Sequence, residues 1–159
     1  MHRFSIAAAA ILAPVLMLAG SLPGAAQGRD KGYWHAASNT AASITGDITI
    51  ANEKLTIGLR AYSLAPIRSL TPAEVAAVFD QDVNTAGQGS LYRLNVPAPT
   101  RFLHRNTLCG SDDTEWMATY LSDPKTLQVA FFSGDGEPAL TFEAISRSSR
   151  VCGTYTFVH

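Results

Sequence analysis

Residues 114–133, TEWMATYLSDPKTLQVAFFS, carry the pattern that decides the fold. Trp116, Ala118 and Tyr120 fall at every second position, Asp123-Pro124 breaks the run, and Leu127, Val129 and Phe131 resume the same period. Successive side chains of an extended chain point to opposite faces. A period of two interrupted by a turn pair therefore predicts two antiparallel strands, each burying one face. The punctuation continues downstream. Gly134-Asp135-Gly136 leads into Ala139–Ile145, where Leu140, Phe142 and Ala144 align, and Cys152–Val158 places Tyr155 with Phe157. Four such strands about 12 residues apart suit an antiparallel meander.

The first half extends the reading. Ile44, Ile48 and Ile50, then Leu55, Ile57 and Leu59, alternate with polar residues on either side of Ala51-Asn52-Glu53, which predicts a hairpin with one buried face. Leu91–Val96 and Arg101–Leu108 read as two further strands separated by Pro97-Ala98-Pro99. One helix stands out. Thr71-Pro72-Ala73-Glu74 combines a capping threonine, a proline at the first helical position and a glutamate three residues after the cap. Val75, Val78 and Phe79 then share one face, and the helix ends near Asp80. The fold expected is mainly β: an antiparallel meander forming a small barrel or sandwich, with one short helix and a single disulfide.

That disulfide rests on Cys109 and Cys152, the only two cysteines. Their compartment is read from the N-terminus. Met1-His2-Arg3 is a short cationic start, Phe4–Leu18 is apolar, and small residues follow to Ala26. This order predicts a secretory signal at residues 1–26, cleaved before Gln27. The apolar run is shorter than the roughly 20 residues that a spanning helix needs, and Pro14 interrupts it. Residues 27–43 read as an extended segment and 44–159 as a single β-rich domain, periplasmic or secreted, with no membrane span once the signal is removed. In that setting an even cysteine pair reads as a structural bridge. Without Arg3, 11 basic residues face 13 acidic ones, a net charge of −2. Such a balance gives no case for nucleic acid.

Motifs that would fix a chemistry are few. Asp80, Asp82 and Asn84 set oxygen ligands at alternating positions after a helix, as a calcium loop does, but Thr85 and Leu91 stand where such a loop needs Gly and Glu. They remain a weak calcium candidate, beside the plainer reading of an acidic helix-exit loop. Ser133–Pro138 reads as a hairpin turn rather than a phosphate cradle. Arg101 and Arg105, with His104 between them, form a basic stretch that could meet an anionic ligand or partner, or merely protect a strand edge. Trp34 and Phe132 fall off the aligned aromatic faces and could anchor a partner. Glu115 is expected to face solvent. His35, His104 and His159 lack metal-ligand spacing, and no G-x-S-x-G elbow is present. No metal, cofactor or catalytic residue is expected. The chain reads first as a non-catalytic module binding a small ligand or a protein. An enzyme with a dispersed site, or an envelope structural or assembly factor, stands as the alternative.

Overall fold

The alternating isoleucines and leucines form a hairpin with a two-residue turn, in which Asn52 and Glu53 both take left-handed φ values of 47° and 59°. That handedness matches the twist of the flanking strands. The computed structural model describes residues 28–159, so the signal segment expected over residues 1–26 and its expected cleavage site lie outside the described residues. Eight strands close into an antiparallel barrel in strict chain order. They are β1 Gly32–Ala36, β2 Ile48–Ala51, β3 Lys54–Ile57, β4 Arg60–Leu70, β5 Gly89–Val96, β6 Thr114–Asp123, β7 Thr126–Ser133 and β8 Val151–Val158. The expected mainly-β fold is thus a barrel.

Three helices form rather than one: α1 Asn39–Ile44, α2 Pro72–Phe79 and α3 Phe142–Arg147. α2 carries its capping box, with Thr71 Oγ1 accepting from Glu74 N and Glu74 accepting from Thr71 N. α3 replaces the strand expected over Ala139–Ile145, because the Thr141 side chain accepts from Ala144 N and starts a helix instead. Ile44 ends α1 rather than opening the hairpin, and Leu59 sits fully exposed at the β3–β4 turn rather than on the buried face. Residues 32–44, read as part of the segment before the domain and the start of its hairpin, supply β1 and α1. The strand expected over Arg101–Leu108 is absent. A 3₁₀ turn at Leu103–Arg105 takes its place, with His104 and Arg105 both left-handed. β4 escaped the pattern: Pro66 interrupts it, and its register with β5 shifts between Pro66 and Arg68.

Apolar side chains divide into two cores. Every strand contributes to the first, which includes Trp34, Ile48, Leu55, Leu64, Leu94, Met117, Phe131 and Phe157, so it fills the lumen. The second lies on the outer face of β5, β6 and β7. There Leu91, Trp116, Ala118, Tyr120, Ala130 and Phe132 are covered by Val75, Val78 and Phe79 of α2 and by Leu140 and Ile145. The alternation in β6 therefore marks an outward face roofed by helices, while Met117 between those residues points into the lumen. Neither aromatic read as a possible anchor is free to bind: Trp34 and Phe132 are both 0% exposed.

Cys109 and Cys152 are bridged, 43 residues apart with Cα atoms 4.8 Å from one another. The bond ties the β5–β6 connection to the start of β8. Replacing both cysteines with serine should lower the unfolding free energy by about 3–4 kcal/mol on the chain-entropy scale for such a loop. Urea denaturation reads this directly. A loss below about 1 kcal/mol would mean that packing alone holds the two segments together.

Candidate functional site

Antiparallel strands place alternate connections at opposite ends of the barrel. One end, here the upper, gathers residues 37–47, the Gly58-Leu59 turn, residues 97–113 and residues 134–150. The lower end holds the Asn52-Glu53 turn, α2 with its exit loop, the Pro124-Lys125 turn and both ends of the described chain. The upper end carries a groove of about 250 Å³ lined by Thr45, Ile57, Leu59, Arg60, Arg101 and Leu103, among others. Leu59 is fully exposed and Leu103 is 44% exposed.

The 3₁₀ turn builds one wall of that groove, and its conformation is costly. Left-handed φ values of 52° at His104 and 63° at Arg105 cost of order 1–2 kcal/mol each for residues bearing a Cβ. Surrounding contacts hold the turn in place. Phe102 N donates to Asn106 O at 2.8 Å, and Asn106 Nδ2 donates to Ser43 O at 3.0 Å. Phe102 meets the Tyr62 ring edge-on at 6.3 Å, Leu108 is buried, and the disulfide follows. Strain kept up by so many contacts is found where a fixed presentation matters. Arg101, His104 and Arg105 are therefore gathered on an exposed knuckle rather than along a strand, and Arg60 joins them from β4. None of these arginines makes an ion pair among the described residues.

The other candidates lie elsewhere. Trp34 is in the lumen, with its Nε1 donating to Asp30 O. Asp80 closes α2 in a left-handed conformation, while Asp82 Oδ1 accepts from Asn84 N and Nδ2 at 2.8 and 3.0 Å. That is a local Asx turn. Among the described residues no three His, Cys, Asp or Glu side chains gather as a metal site. Glu115, expected in solvent, is buried and holds Arg93 through two bonds of 3.3 and 3.1 Å, and the guanidinium also lies over Trp116 at 4.9 Å. Glu115 lines an open acidic cleft on the same upper rim, with Asp112, Asp113 and Asp135.

Two groups gave no sign in the sequence. On the rim of β1, His35 Nδ1 lies 3.2 Å from Asp47 Oδ2, and Tyr33 donates to the same oxygen at 2.7 Å. The Tyr33 bond, and then Ala36 N donating to Oδ1, hold the Asp47 carboxyl below its ordinary range. No Ser or Thr hydroxyl bonds His35 among the described residues, so the pair lacks the nucleophile of a hydrolytic relay. At the lower mouth Asp30 is buried against Tyr92 and Thr119. It sits in the polar run Gly28-Arg29-Asp30-Lys31, which reads as solvent-exposed chain.

Compared with protein-family models, with curated proteins and with solved structures, the chain matches none.

Two outcomes follow from this geometry. If the groove residues have no structural duty, Leu59→Ser and Arg101→Ala should each change stability by less than about 0.5 kcal/mol, as urea midpoints would report. The second concerns pH. Asp47 has a depressed folded pKa, so its contribution is present above the ordinary carboxylate pKa of about 3.9 and is lost as pH falls through the folded value. The stability gap between wild type and Tyr33→Phe should therefore be flat between about pH 5 and about pH 9, below the range where the Tyr33 phenol ionises, and narrow below about pH 4. A gap independent of pH would detach Tyr33 from the carboxylate.

Proposed function

We propose that this chain is an exported module, periplasmic or secreted, that binds an acidic protein partner without catalysis through the upper rim of its barrel. The groove between Leu59 and Leu103 carries this reading. It pairs exposed leucines with Arg60 and Arg101, and Arg105 stands on the turn that follows Leu103; none of the three makes an ion pair among the described residues. Exposed apolar side chains ringed by charge are the usual make-up of a docking patch, and arginine is enriched at binding hot spots. A partner offering an apolar side chain flanked by carboxylates would satisfy both at once.

Three further observations support it. The lumen is occupied by large side chains, with Trp34, Phe131, Tyr155 and Phe157 at most 1% exposed, which leaves the loops as the place for recognition. His104 on the knuckle bonds no carboxylate or hydroxyl among the described residues, which argues against acid–base work at the groove. The disulfide suits an oxidising compartment, and no described helix is long and apolar enough to cross a membrane.

A photo-cross-linking residue at position 59, in the cell that makes the protein, provides the test. It should give one dominant adduct whose cross-linked peptide is acidic. The adduct should be lost in the folded triple variant Arg60→Glu/Arg101→Glu/Arg105→Glu, and position 83 at the opposite end should give none. Adducts of equal yield at 59 and 83, or yields that the triple variant leaves intact, would refute the reading. Sedimentation with phosphatidylglycerol vesicles that depends on the three arginines would reassign the groove to a lipid surface.

A further inference from the structure

The barrel's lower mouth is closed by a carboxylate that has no cationic partner. Asp30 is 3% exposed and makes no ion pair among the described residues. Instead the Tyr92 hydroxyl reaches both of its oxygens, at 2.9 and 2.8 Å, and Thr119 Oγ1 donates at 2.6 Å. Burying a carboxylate against neutral donors alone is expensive, so the donors must be set in advance to receive it. They are. Tyr92 is 6% exposed on β5 and Thr119 is 1% exposed on β6, and the two strands pair side by side. The receptor belongs to the rigid sheet, whereas the carboxylate arrives on a loop.

That loop is lightly held. Apart from the Asp30 carboxylate, residues 28–31 are held by two bonds, Lys31 N donating to Gly28 O at 3.4 Å and Trp34 Nε1 donating to Asp30 O at 2.9 Å, and they join no ladder until Gly32 pairs with Ile50. Arg29 and Lys31, on either side of Asp30, are exposed. A pocket of about 100 Å³ adjoins Tyr92, with Ile50, Leu64 and Pro66 on the barrel side and Gly28 and Lys31 on the loop side. The segment that brings the carboxylate thus also forms one wall of a recess with Ile50, Leu64 and Pro66 on its apolar side and Asn52 and Glu53 at its edge. If it withdrew, two convergent hydroxyls would stand beside a wider pocket with that apolar side. A carboxylate on a short aliphatic chain matches both parts.

We propose that the lower mouth is a carboxylate-binding site which the chain keeps filled with its own Asp30, and that a short aliphatic monocarboxylate takes the same hydroxyls when residues 28–31 swing out. The probe is sodium butyrate, compared with sodium chloride at equal ionic strength and neutral pH. Asp30→Ala removes the internal occupant and leaves both hydroxyls. Its melting temperature should rise by several degrees in butyrate, whereas wild type and Asp30→Ala/Tyr92→Phe should not respond. If Asp30→Ala folds only with butyrate present, that recovery is the same result in stronger form. No response from Asp30→Ala, or an equal response from all three proteins, overturns the site. Exchange is read in wild type by trypsin, since Arg29 and Lys31 flank the anchor. Butyrate should speed cleavage there several-fold and leave cleavage at Lys125 unchanged. A rate at Arg29 and Lys31 indifferent to butyrate overturns the exchange and leaves Asp30 a fixed brace.

Discussion

The seam between β1 and β8 turns a sheet into a barrel, and it is short. Only two register pairs, His35 with Val158 and Ala36 with Phe157, join the first strand to the last. Without them the sheet would keep two unpaired edges and an open lumen. Neighbouring groups extend the junction beyond its strands. Ala37 N and Ser38 N both donate to Thr156 O, while Ser38 Oγ accepts from Thr156 N and from Ala41 N, so one serine caps α1 and stitches the seam. The Trp34 and His159 rings lie 3.8 Å apart, tilted by 35°, next to the seam. Closure thus rests on a few bonds from a run of small residues, and every lumen contact depends on it.

Closure also decides where chemistry can happen. A narrow barrel fills with side chains, and here the rings of Phe131, Tyr155 and Phe157 from the neighbouring strands β7 and β8 pack together inside the lumen. The Tyr155 hydroxyl has no hydrogen-bond partner among the described residues, and burial pushes it up to about 12. The outer face of β5–β7 is equally committed, to α2 and to the segment around Leu140. The proposed recognition therefore falls to the rims. On the upper rim the 97–113 connection is fixed by the disulfide, by Asn106 on Ser43 O and by Asp113 accepting from Ala98 N at 2.7 Å. Those ties are what let His104 and Arg105 hold left-handed backbone.

How much of this could be read from the chain depended on whether a residue's neighbours in sequence were also its neighbours in energy. The β2–β3 and β6–β7 hairpins, the capped helix α2 and the disulfide follow from local pattern. Leu140, Phe142 and Ala144 have the period of a strand, yet the Thr141 cap wins locally and leaves Phe142 exposed on α3. Trp34 looked isolated because the aromatic and aliphatic groups that bury it lie on β2 and β8. β1 itself has almost no apolar pattern, since only one of its five residues is buried. The arginines of the knuckle were visible as a basic stretch, but their gathering with Leu59 and Arg60 depends on barrel closure. Asp30 gave no signal, because both of its side-chain partners lie more than sixty residues away.

The two ends of the barrel handle charge in opposite ways, and this gives the molecule its direction. At the lower mouth the chain sets a carboxylate of its own against the buried hydroxyls of Tyr92 and Thr119. At the upper rim it leaves charge unspent. Arg60 and Arg101 line one groove, with Arg105 on the turn beside it, while Asp112, Asp113 and Asp135 line a separate cleft with Glu115. The chain as a whole is almost neutral, at −1. The rim is therefore a dipole rather than a monopole: it attracts no polyanion at long range, but it can fix the orientation of a partner that comes within a Debye length, about 8 Å at physiological salt. In the proposed reading such a surface would select by geometry, which is the property that a strained, disulfide-held loop supplies.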